Sequence, residues 1–161
     1  MKISYLQDDG GRSQSGVKTK SSDCVTRAIA IASGLPYATI HDMLLNGASG
    51  ERKVRGKRGS HPSNGNGVHT SRKWFKELMA TLGFVFVPTM GIGTGCTVHL
   101  REGELPSGRL VVSVSGHYTA VVDGVLHDLH DCSREGNRCV YGYYHQPKAF
   151  VPSARVRHIR L

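Results

Sequence analysis

The sequence predicts an α+β domain in which N-terminal helices pack on a C-terminal antiparallel β-sheet, and three observations carry that prediction. Up to Gly83 the apolar residues recur at three- and four-residue spacing between capping and stop signals. Beyond Gly83 they gather into short β-branched runs separated by turn residues. One of those turns is Asp123-Gly124, a preferred two-residue hairpin connection.

Residues 1–20 read as an irregular segment, with Gly10, Gly11 and Gly16 among polar side chains. In "SSDCVTRAIAIASGL", Ser21, Ser22 and Asp23 offer N-cap side chains, and Gly34 supplies the stop. The spacing predicts a helix over 23–33 with Val25, Ala28, Ile29 and Ala32 facing inward. A second helix starts at Pro36, a favoured first-turn residue, and runs through "YATIHDMLL" with Ile40, Met43 and Leu44 in the core. Residues 46–67 form a basic loop rich in Gly and Ser. "HTSRKWFKELMATLGF" is a third helix, capped by Thr70 or Ser71 and stopped at Gly83, with Trp74, Phe75, Leu78, Met79 and Leu82 for the core. The expected strands are "FVFVP", "TVHL", "RLVVSVS", "HYTAVV", "VLHDL", "CVYGYY" and "AFV".

A chain of 161 residues suits one domain. No stretch approaches the roughly 20 apolar residues that cross a bilayer, so no membrane partner is expected. The opening "MKISYLQDDGG" turns acidic before any apolar core forms and is not a secretory signal. The expected compartment is the cytoplasm, and the four cysteines, Cys24, Cys96, Cys132 and Cys139, are expected as free thiols because no C-x-x-C occurs.

The formal charge of +9 is partly local: Arg52, Lys53, Arg55, Lys57 and Arg58 fall within seven positions. Such a run can touch nucleic acid or an acidic protein surface. It lacks the interleaved aromatics that stack on bases, so a solvated loop is the alternative.

Two features carry chemistry. Cys24 stands where the first helix begins, and backbone N–H groups and the positive end of the helix dipole there favour a thiolate. A small buried core residue is the competing explanation. The second feature is "GHYTAVVDGVLHDLHD". A two-residue turn at Asp123-Gly124 pairs Val122 with Val125, Val121 with Leu126, Ala120 with His127, Thr119 with Asp128, and His117 with His130. Alternation then puts His117, Thr119 and Val121 on one face with Leu126, Asp128 and His130, so His117 and Asp128 are diagonal neighbours. A carboxylate there can orient an imidazole and stabilise its protonated form.

Cysteine on a helix, then histidine and aspartate on a following sheet, is an order that resembles the papain-like cysteine peptidase superfamily. "DCVTRAIAIASG" and "GHYTAVVDGVLHD" look like the small papain-fold proteins related to double-glycine bacteriocin-processing peptidases, phage-encoded ones among them. The resemblance spans residue 20 to about residue 145 and rests on these two motifs. It implies a papain-like fold and hydrolysis of an amide or thioester in a peptide or protein substrate without a cofactor. By matched position, Cys24 is the nucleophile, His117 the base and acid, and Asp128 the orienting residue. Family members carry a glutamine roughly six residues before the cysteine as oxyanion donor. Lys18 stands there in this chain, and Gln14, ten residues before Cys24, fills the role only across a longer loop.

Three other outcomes fit the same residues. Deamidation or crosslinking uses identical Cys, His and Asp chemistry. A papain fold without activity would act as a basic binding module or virion component. A zinc site built from His127, His130, Asp131, Cys132 and Cys139 has suitable residue types, but its spacing matches no common zinc module, so no metal is expected.

Overall fold

The computed structural model describes residues 1–18, 22–50 and 68–147. Its elements run β1 (Ser4–Gln7), a 3-10 turn (Arg12–Gln14), α1 (Cys24–Ser33), α2 (Tyr37–Ser49), α3 (Lys73–Thr81), β2 (Val85–Pro88), β3 (Arg109–Val114), β4 (His117–Val122), β5 (Val125–Asp128) and β6 (Val140–Gln146). The class is α+β. The strands form one mixed sheet in the order β1-β5-β4-β3-β6-β2, with β1 parallel to β5 and the other neighbours antiparallel.

The sheet separates two apolar clusters, as period-two alternation requires of central strands buried on both faces. Val111, Ala120 and Tyr144 face the helices and meet Val25, Ala28, Ile29 and Ala32 of α1, Ile40, Met43 and Leu44 of α2, and Phe75 and Met79 of α3. Their strand neighbours Leu110, Val112, Val121, Leu126 and Val140 point the other way, against Ile3 and Leu100. The inward residues expected of the helices are therefore buried, except Trp74 and Leu78, which are only partly covered.

Helix ends follow the local chemistry in part. Gly34 closes α1 with φ 72°, and its N–H donates to the Ala30 carbonyl. Pro36 is the N-cap of α2 and not its first helical residue, and α2 reaches Ser49, so residues 46–49 are helical where a loop was expected. The N-cap of α3 is Arg72, not Thr70 or Ser71. The Asp123-Gly124 turn forms with φ 48° and 80°, both positive as a two-residue hairpin of this kind needs. Asp123 is fixed further by accepting the Gly108 N–H at 2.9 Å.

Four expectations are corrected. Residues 1–20 are not wholly irregular, because Ser4–Gln7 adds a parallel strand beside β5, in register Tyr5 with Leu126 and Gln7 with Asp128. The sheet is accordingly mixed. "TVHL" is no strand but a single bridge, His99 to Cys139. That bridge brings Cys96 beside Cys139, with Cα atoms 5.9 Å apart, and the two form a disulfide; only Cys24 and Cys132 are free. The disulfide and the backbone bonds Leu100 N–H to Arg138 O and Val140 N–H to Val98 O hold the segment before β3 against the start of β6, where Leu100 and Val98 reach the second cluster. The strand expected at 149–151 and the charges Arg52, Lys53, Arg55, Lys57 and Arg58 lie outside the described residues.

Candidate active site

Cys24 is the first residue of α1, partly buried against the helix-side cluster. Asp23 occupies the N-cap, yet its side chain does not cap the helix. The carboxylate is buried and faces a different set of donors: the Arg27 guanidinium, Arg12 Nη1 at 3.3 Å and the Tyr37 hydroxyl at 2.7 Å. A buried carboxylate needs such partners, since an unpaired charge in a low-dielectric interior is costly. The result is that the turn over Arg12–Gln14, the start of α1 and the start of α2 are tied to one acid group.

His117 opens β4 and Asp128 closes β5, so the hairpin brings them together at its open end. The ladder holds the expected pairs Ala120 with His127, Val121 with Leu126 and Val122 with Val125. His117 Nε2 lies 2.6 Å from Asp128 Oδ2. The other carboxylate oxygen, Oδ1, accepts the Leu129 N–H at 2.7 Å and faces Arg27 Nη2 at 3.6 Å. His130 does not pair with His117: β5 ends at Asp128, and His130 is exposed.

Electrostatics join the helix to the hairpin. Burial pushes the Cys24 thiol up, but the His117 imidazole, the Tyr118 backbone N–H and the Arg27 charge outweigh it and leave Cys24 below the ordinary thiol range. His117 is pushed up to about 11, chiefly by its bond to Asp128, with Cys132 and Cys24 adding to it. Burial raises Asp128, and the His117 bond and the Thr119 hydroxyl overcome that and hold it below the usual carboxylate value. These shifts run in the direction that favours a thiolate on Cys24, an imidazolium on His117 and a carboxylate on Asp128. Such a set can deliver a sulfur nucleophile at neutral pH and return a proton to a leaving group.

Of the residues singled out in the sequence, Cys24, His117 and Asp128 come together. Gln14 ends the 3-10 turn that Arg12 anchors to Asp23, and its side chain is exposed. The zinc set is dispersed: His127 Nδ1 meets Asp8 Oδ2 at 2.9 Å, Asp131 accepts from Ser133, and Cys139 is in the disulfide.

Sequence reasoning missed two contributors. Arg27, 8% exposed, spans from Asp23 to Asp128; its four-residue spacing from Asp23 on one helix was a legible signal. Cys132 donates its thiol to Asp128 Oδ2 at 3.6 Å, and nothing in its local pattern marks that contact. Compared with family models, with curated proteins and with solved structures, the chain matches none.

Proposed function

We propose that the protein is a papain-like thiol hydrolase that opens an amide or thioester of a peptide or protein substrate through Cys24, His117 and Asp128. The observation that carries this reading is the 2.6 Å contact of His117 with the buried Asp128, on an imidazole that also holds the Cys24 thiol below its ordinary value. Nε2 is committed to Asp128, which leaves Nδ1 for proton exchange. A cysteine placed only for packing requires neither an oriented imidazole nor a carboxylate behind it.

The thiolate adds to the carbonyl carbon, and the electron pair moves to oxygen. The Cys24 backbone N–H is one donor to that oxyanion, and Gln14 is the side chain proposed as the other. The imidazolium gives its proton to the departing amine or thiol as the carbon–heteroatom bond breaks, leaving an acyl-cysteine. Water then attacks while His117 takes its proton, and the acid product leaves with the thiolate regenerated. Apart from substrate and water, every reacting group belongs to the chain itself.

The test is trapping with an electrophilic acyl or peptidyl probe followed by peptide mapping. Adduct on Cys24, abolished by His117→Ala, supports the reading. Equal modification of Cys24 and Cys132, or adduct that survives His117→Ala unchanged, overturns it. The run Arg52, Lys53, Arg55, Lys57 and Arg58 favours a second reading as a basic binding module. Salt-sensitive nucleic-acid binding that disappears when those five become serine, in a protein whose Cys24→Ala form functions normally, would establish that reading in place of the first.

A further inference from the structure

The site holds a second free thiol that acyl transfer does not use. Cys132 lies four residues beyond β5, and its Sγ is 3.6 Å from Asp128 Oδ2, the same oxygen that meets His117 Nε2. One ligating atom each of His117, Asp128 and Cys132 lies within 4.8 Å of the other two. We propose that these three side chains form a binding site for a thiophilic divalent cation of the zinc class.

The geometry is close to what the ion requires. Tetrahedral zinc with bonds of about 2.3 Å to sulfur and 2.0 Å to oxygen separates those two ligands by about 3.5 Å. The thiol and carboxylate oxygen already stand 3.6 Å apart. The 2.6 Å contact between Nε2 and Oδ2 would open to about 3.3 Å, a movement within the reach of a partly exposed imidazole at a strand end. Oδ1 is occupied by the Leu129 N–H and by Arg27, which leaves Oδ2 as the single ligating oxygen. Cys132 and His117 are only partly buried, so water can complete the coordination.

Charge and donor softness agree with that geometry. A thiolate and a carboxylate together neutralise a divalent ion. Arg27, 3.6 Å from Asp128 Oδ1, is shared with Asp23, and Arg138 donates to the Cys132 backbone carbonyl and not to its sulfur. A sulfur, a nitrogen and an oxygen donor select zinc over magnesium or calcium, which take oxygen ligands. Binding expels the Cys132 thiol proton and the Nε2 proton to solvent, and the metal takes both vacated positions. The consequence for activity rests on the proposed acyl transfer: zinc on Nε2 separates His117 from Asp128, holds the imidazole uncharged and stops proton exchange with Cys24.

The experiment uses the full chain, stripped with a chelator and titrated with Zn2+ alone against a chromophoric competitor. One zinc per chain is expected, with affinity weakened more than about tenfold in Cys132→Ser and in Asp128→Asn, and unchanged in Cys24→Ser. Co2+ added to the unaltered protein should show thiolate-to-metal charge-transfer absorption, so the proposal does not depend on a variant folding. No zinc held against the competitor, equal affinity in Cys132→Ser, loss of binding in Cys24→Ser, or no cobalt charge-transfer band would each overturn it. Because Cys24→Ser lacks the nucleophile, zinc binding by that variant is read independently of acyl transfer.

Discussion

Arg27 Nη2 lies 3.6 Å from Asp128 Oδ1, which joins the helix that carries Cys24 to the hairpin that carries His117. The same guanidinium pairs with Asp23, the residue before the cysteine. Helix and sheet are thus registered by charge as well as by apolar packing, and Cys24 and His117 inherit that register.

Replacing Arg27 with Met should leave two buried carboxylates without their shared cation. Removing one partner of a buried pair costs about 3–5 kcal/mol. Chemical denaturation of Arg27→Met should show a loss in that range, together with slower alkylation of Cys24. A loss under about 1 kcal/mol would mean that solvent already screens the pair.

Cys24 should react with iodoacetamide at pH 6–7, where an ordinary thiol is almost wholly protonated, because His117 and Tyr118 hold its thiol value down. His117→Ala should remove that reactivity. Asp128→Asn should preserve the fold and slow the reaction by misorienting the imidazole. Mass-spectrometric rates at Cys24 and Cys132 decide the matter, and equal rates at the two would refute the pairing.

Stability should fall in acid. Asp128 is held below its ordinary value of 3.8, so its contribution is complete above that pH and is lost as pH drops through the lowered value; Asp9 and Asp131 act in the same direction. His117 works oppositely: raised from 6.5 to about 11, its contribution is complete below pH 6.5 and declines toward pH 11. Lowering of the Cys24 thiol offsets part of that alkaline decline, since a depressed thiol value adds stability as pH rises. Thermal melts across pH should therefore decline more steeply above pH 7 in Cys24→Ala than in the parent chain.

Alkylation without reductant should label two of the four cysteines, Cys24 and Cys132, and all four after reduction. The Cys96–Cys139 bond closes a loop with sequence separation 43, for which the chain-entropy model gives about 4 kcal/mol. Reduction should lower the denaturation midpoint accordingly. Four labelled cysteines in protein purified without reductant would show the pair to be reduced.

Much of the fold was legible locally. The apolar period of α1 and α2, the Gly34 stop and the Asp123-Gly124 turn each depend on neighbours within a few residues. The hairpin turn fixes register, and register alone places His117 beside Asp128. The side-chain cap expected of Asp23 failed because a buried carboxylate gains more from Arg27 and Tyr37 than from a helix N–H.

By itself, then, the sequence determined the α+β class and a histidine–aspartate pair on one hairpin, because both follow from periodicity and turn chemistry over short spans. Only the tertiary structure decided the rest. β1 is a short exposed strand whose partner lies more than a hundred residues away, and no local pattern marks a parallel pairing of that span. The Cys96–Cys139 bond and the approach of Cys132 to Asp128 depend on loops brought together by the sheet. The arrival of Cys24 at His117 depends on how α1 packs over β4 and on the Arg27 bridge. Those are relations between surfaces, set by burial and charge over the whole domain, and one-dimensional spacing does not encode them.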